Sequence, residues 1–150
     1  MVKKPEEIAG LWFEVMWSKP DLSIADKIVD SRYNPTWINI DKTGPDQVKH
    51  EINYFRTLFP DLKYKIIEMI SEEKKVWIRY KACGTHLGKG WGFEATNKFV
   101  EFEGATILYI NSEGKVKDQW GAFCFYEIFA EIGAVPPFWE LNKYLRDFKQ

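Results

Sequence analysis

Residues 64–85, YKIIEMISEEKKVWIRYKACGT, carry the change of rhythm that decides the fold. Two runs rich in aromatic and branched residues flank the polar turn Glu72-Glu73-Lys74-Lys75, and apolar and polar positions alternate within them. Period-two alternation puts successive side chains on opposite faces of a pleated strand. The stretch therefore predicts an antiparallel hairpin with strands at 64–71 and 76–85. The rhythm continues downstream in strands expected at 98–111 and 115–125, joined by the turn Asn111-Ser112-Glu113-Gly114. A glycine-rich connection with Gly88, Gly90 and Gly92 precedes them.

Upstream of Tyr64 the spacing is helical. Pro5 suits a first helical position, Glu6 and Glu7 suit the positive end of a helix, and Ile8, Trp12, Val15 and Met16 share a face. This predicts a helix over 5–18, stopped by Lys19-Pro20-Asp21. A short helix is expected over 22–29, with Ser23 as its cap. Residues 32–40 read as irregular. A third helix opens at Gly44-Pro45-Asp46, runs to about Leu58 with Val48, Ile52 and Phe55 on one face, and ends at Phe59-Pro60-Asp61. A short helix is expected over 127–133, and Pro136 opens a last one through about Phe148. Helices first, then long strands on tight turns, make an α+β pattern in one domain spanning 1–150. Long strands twist and curl, so the expected sheet is curved, mixed but mostly antiparallel, with the N-terminal helices on its concave side around a cone-shaped hollow.

Composition narrows the function. With 21 basic and 22 acidic residues the net charge is −1, and the lysines are spread out. Phosphate binding needs a basic stripe, so nucleic acid is not the expected partner. No apolar run reaches the length of a membrane span, and the N-terminal MVKKPEEIAGLW lacks the apolar core of a signal peptide. Cys83 and Cys124 make no disulfide framework and read as reduced thiols, so the expected compartment is the cytoplasm. Two isolated histidines, His50 and His86, without companion cysteines make no zinc pattern, and no metal is expected. Aromatics are 17% of the chain, with seven tryptophans, enough either to pack a core or to line a hydrophobic pocket for a flat ligand.

An ordered set of short motifs resembles the SnoaL-like polyketide cyclases of the nuclear transport factor 2-like superfamily. It runs from Phe59-Pro60-Asp61-Leu62 through Val76-Trp77-Ile78-Arg79-Tyr80 to Gly84-Thr85-His86. Gly88, Gly92, Ala95-Thr96-Asn97-Lys98, Gly104 and Ile107 follow, then Gly114-Lys115-Val116, Trp120 and Ile132-Gly133. The likeness covers roughly residues 6 to 135. It implies a cone-shaped α+β barrel, usually dimeric through its sheet, that closes polyketide rings by an aldol reaction without metal or organic cofactor. It also implies a carboxylate acid/base four residues after the tryptophan of the last strand. Here that position is Cys124. The histidine common after the second helix is also missing from Tyr33-Asn34-Pro35-Thr36.

The candidate site residues follow. Period two puts Asp118, Trp120, Ala122 and Cys124 on one face of the last strand, which by analogy looks into the cone. Cys124 reads as a small buried hydrophobe or as a reactive thiol, or else the chemistry has moved elsewhere on the scaffold. A free thiol titrates near 8.5, so the second role needs a neighbouring cation such as Arg79 or His86. Asp118 reads as a solvated rim acid or a substitute base, and His86 as the organiser of the glycine loop or a proton donor. Arg79 holds a substrate oxygen or pairs with Glu68. Trp120 is wall or core, and Phe13, Met16, Trp37, Phe55, Trp77, Trp91 and Tyr109 are further wall candidates, Phe13 and Trp37 reading as core in the first place, with the Trp91 loop a candidate lid. Three functions stay open: a cofactor-independent cyclase or isomerase for a small apolar carbonyl compound, a non-catalytic binder of such a molecule, and a dimerisation module.

Overall fold

The computed structural model describes residues 2–35 and 41–143. Trp37 and the part of the expected last helix beyond 143 lie outside the described residues.

Helix α1, Pro5–Gly10, starts with the Glu7 carboxylate accepting the free Lys4 N–H at 3.0 Å. From Leu11 to Trp17 the chain widens into a π-helix, where one continuous α-helix is expected from the spacing. Its end is fastened by Ser18, whose hydroxyl donates to the Phe13 carbonyl at 2.7 Å and accepts the Tyr64 N–H at 2.8 Å. Helix α2 is Ser23–Ile28. Its start is held by Asp21, which accepts both the Ser23 N–H and the Ser23 hydroxyl. Ser23 is therefore the first helical residue rather than the cap.

Helix α3, Gly44–Leu58, matches the expected bounds. Gly44 has φ +63°, and a Cβ there would sit 2.7 Å from the Ser31 carbonyl oxygen, so glycine alone fits. At the other end Arg56 donates to the carbonyls of Trp17, Leu62 and Pro60 at 2.7–2.9 Å, pinning α3 to the π-helix and to the approach to the sheet.

The sheet is a meander of β1 Lys63–Glu72, β2 Lys75–Thr85, β3 Phe99–Ile110 and β4 Val116–Phe123, paired antiparallel in the order β1-β2-β3-β4. The parallel component among the described residues is one bridge, Val29 with Val116. Along β2 the even-numbered residues are buried and the odd ones face outward. The inner face packs Val76, Ile78, Leu108 and Ile110 against Ile8, Trp12, Met16, Ile28 and Ile52, all essentially inaccessible. Each such side chain contributes about 1.5–3 kcal/mol of hydrophobic stabilisation.

Strand β4 departs from the expected parity. Ile110 pairs with Val116 but Tyr109 pairs with Asp118, so Lys117 is an extra residue in a bulge. A one-residue insertion sends every later side chain to the opposite face. Val116 is buried, but beyond the bulge Gln119, Gly121 and Phe123 pair with the inward residues of β3, and Asp118 and Trp120 point outward. The strand then ends at Phe123, and Cys124 is the exposed residue that precedes α4, Phe125–Glu131. A 3₁₀ turn at Phe138–Glu140, followed by helical residues 141–143, stands near the start of the expected last helix. No helix of the described residues is long and apolar enough to cross a membrane.

Candidate functional site

A cavity of about 270 Å³ lies between the π-helix, α3 and the inner face of the sheet. The π-helix supplies Trp12, Phe13 and Trp17, and α3 supplies Phe55. Strands β1 to β3 supply Tyr64, Tyr80 and Thr106; β4 and the start of α4 supply Gln119, Gly121, Ala122, Phe123 and Phe125. The π-helix brings Trp12, Phe13 and Trp17 together onto one wall, and such widened segments recur at functional sites. The rings interlock: Phe13 lies 4.9 Å from Tyr80, Tyr64 lies 5.2 Å from Tyr80, and Trp17 lies 5.6 Å from Tyr64, centroid to centroid. Gly121, Ala122 and Phe125 are exposed, which puts the mouth on the β4 side.

The polar groups of this wall are neutral. Burial pushes the Tyr64 and Tyr80 phenols above the usual tyrosine range, so both stay protonated donors; a hydrogen bond between Tyr80 and Thr106 opposes the rise for Tyr80. Gly104 makes room for that hydroxyl, since a Cβ there would collide with it. The Trp17 Nε1–H is buried without a partner. A phenol, a threonine hydroxyl, an indole N–H and the Gln119 amide suit a carbonyl or enol oxygen on an otherwise apolar molecule.

Of the residues singled out from sequence, Phe13 and Phe55 line this cavity. Met16 is in the core behind it. Trp91 stacks between Phe55, Phe59, Phe125 and Phe129, so its loop is pinned by four rings. His86 is wholly buried against Phe59; its Nδ1 faces the Thr96 hydroxyl at 3.0 Å and accepts the Thr96 N–H at 3.3 Å, which orders the glycine loop. Its Nε2 is buried and unpartnered. Arg79 lies outside on β2 and pairs with Glu103 at 2.8 Å rather than with Glu68. Trp77, Tyr109, Asp118 and Trp120 share that outer face; the Lys75 ammonium stands 5.9 Å from the Tyr109 ring. His86, Arg79, Asp118 and Cys124 are therefore not gathered around the cavity. The Asp118 charge is nevertheless felt by Tyr33, whose phenol is pushed above the usual tyrosine range by burial and then by the Glu51 and Asp118 carboxylates. Among the described residues no group of three or more His, Cys, Asp or Glu side chains forms a metal-ligand set.

Sequence reading passed over a second polar group. Gln47 and Glu51 follow one another on α3 at i and i+4, with Phe55 the next residue of the same stripe. Both are completely buried, as is Tyr33, whose ring lies 6.0 Å from Trp12. The Tyr33 hydroxyl, the Gln47 amide and the Glu51 carboxyl have no hydrogen-bond partner outside this group. Burial lifts the Glu51 carboxyl to about 7, and hydrogen bonding from the Gln47 side chain opposes the rise. The signal was present: a carboxylate and an amide stand on the apolar stripe of an amphipathic helix.

Residues 7–132 match the profile of the SnoaL-like polyketide cyclases. The chain belongs to that family. Among solved structures, this SnoaL-like chain is similar to TsrD from Streptomyces laurentii, with a TM-score of 0.77 and 17% identity over 87% of this chain and 95% of that one. It is also similar to a SnoaL-like polyketide cyclase from Agrobacterium tumefaciens, with a TM-score of 0.72 and 14% identity over 88% and 100%. At these identities the structural likeness establishes the nuclear transport factor 2-like fold alone. No curated protein matches this family member in sequence.

Proposed function

We propose that this SnoaL-like chain takes a small, largely apolar carbonyl or polyketide-like compound into the cavity and acts on it by cofactor-independent proton abstraction, as an aldol cyclase or isomerase. The observation that carries the reading is the wall itself: interlocked aromatic rings with the hydrogen-bonded hydroxyls of Tyr80 and Thr106 among them, which supports a flat apolar ligand with an oxygen substituent. A non-catalytic binder on the same fold is the second reading. It is favoured by the positions of His86, Arg79, Asp118 and Cys124, none of which is a wall residue.

The experiment is tryptophan-fluorescence titration with 2-naphthol and naphthalene. Saturable quenching by both is expected, and Tyr80→Phe combined with Thr106→Val should weaken 2-naphthol about tenfold, the worth of roughly one hydrogen bond, leaving naphthalene unchanged. No saturable quenching by either compound rejects the pocket.

The same proposal includes a homodimer through the outer face of the sheet. Ile70, Trp77, Ile107 and Trp120 stand side by side across the four strands, with Ile70 61% and Trp120 52% exposed. An exposed apolar row of this length suits a second copy of the chain. Sedimentation should give a dimer that Trp120→Glu dissociates; a monomeric wild type contradicts this. The unpaired Cys83 and Cys124 fit a reducing, cytoplasmic setting.

A further inference from the structure

The Trp12 indole is cavity wall, and the Tyr33 ring packs against it with centroids 6.0 Å apart. On α3, Phe55 is cavity wall and Glu51, one turn earlier on the same stripe, is not. Tyr33, Gln47 and Glu51 thus stand next to the cavity residues Trp12 and Phe55, wholly buried; the Glu51 charge acts on the Tyr33 phenol, and the three have no hydrogen-bond partner outside their own group. Buried polar atoms are nearly always satisfied, and an apolar set of the same shape would hold the fold better than an unpaired carboxyl. Packing does not account for these three side chains; a ligand that presents a polar group to them does.

We propose that the ligand site continues past the Trp12 ring into this cluster and that Glu51 is the acid/base group of the reaction, in place of residue 124. The inference rests on the carbonyl-compound reading given above and deepens it. The ligand pushes the Trp12 indole aside and brings a carbon next to its carbonyl against the Glu51 carboxylate. The carboxylate takes the proton, the C–H electron pair becomes a C=C bond, and the C=O π pair moves onto oxygen to give an enolate. The Tyr33 hydroxyl or the Gln47 amide donates a hydrogen bond to that oxygen. In an isomerisation the Glu51 acid returns the proton to a second carbon. In an aldol closure the enolate carbon bonds to another carbonyl carbon of the same molecule, whose oxygen takes the proton back. Nothing is consumed and no co-reactant is needed. A carboxyl lifted to about 7 by burial both takes and returns a proton near neutral pH.

The test is exchange of the α-protons of 2-tetralone in D₂O, followed by proton NMR, beside 2-naphthol binding. Wild type should accelerate exchange over buffer, at a rate that rises with pH through about 7. Glu51→Gln should lose on the order of 100-fold, the usual worth of a positioned acid/base, while still binding 2-naphthol and melting no lower than wild type. Glu51→Asp should recover part of the rate, Tyr33→Phe should lose roughly tenfold, and Cys124→Ala should match wild type. Wild-type exchange rates in both Glu51→Gln and Glu51→Asp overturn the assignment. So does a wild type that binds 2-naphthol without accelerating exchange, an outcome that leaves the binding reading standing. A wild type that binds nothing removes that reading and the role of Glu51 with it.

Discussion

The two ends of α3 treat buried polarity in opposite ways. Near its C-terminus Arg56 spends its guanidinium on three backbone carbonyls, tying the helix to the π-helix and to the start of the sheet. In its first two turns Gln47 and Glu51 are more deeply buried and have no hydrogen-bond partner outside their own group. One helix, with one amphipathic pattern, carries a polar group that builds the fold and a polar pair that burdens it. A stability cost kept in place beside an aromatic cavity is the observation on which the proposed role of Glu51 rests.

This contrast can be broken by experiment. Removing the clamp with Arg56→Met leaves three carbonyls without their charged donor and should cost about 3–4 kcal/mol, read as a lower urea midpoint. A cost below about 1 kcal/mol would make Arg56 an ordinary surface arginine. The opposite end should show in the pH dependence of stability. The Glu51 carboxyl is lifted from 4.5 to about 7, so the folded state binds its proton more tightly than the unfolded chain. Its contribution is complete below about pH 4.5, shrinks as pH rises through about 7, and is constant above that, a loss of about 3 kcal/mol. In Glu51→Gln that loss should vanish; an equal slope in both proteins would assign it elsewhere. The smallest effect should come from Tyr33→Phe. Its hydroxyl has no partner to lose, so stability should be unchanged within about 0.5 kcal/mol or rise. A clear fall would reveal a hydrogen bond holding the cluster together.

Much of the fold was legible because it rests on periodicity. The bounds of α3 follow from Gly44-Pro45 and Phe59-Pro60, and the strands follow from alternation and polar turns. What stayed hidden was a change of count. The bulge at Lys117 reverses the inward face of β4, and its residue looks like any exposed strand lysine, so Asp118 and Trp120 were expected inside and lie outside. The same arithmetic left Gln119 unnoticed as a wall residue. The π-helix is likewise invisible in a spacing that serves an α-helix for two turns. Family likeness pointed to position 124, whereas the buried carboxylate stands at Glu51, where its place between Gln47 and Phe55 was readable on the helix stripe.

The most direct test of this account is the titration of the Glu51 side-chain carboxyl by carbon-13 NMR in the folded protein. We expect a midpoint near 7, shifted on adding 2-naphthol. A midpoint at the ordinary 4.5, indifferent to the ligand, would mean that Glu51 is solvated and paired, and would contradict the claim that the working proton of this fold has moved to α3.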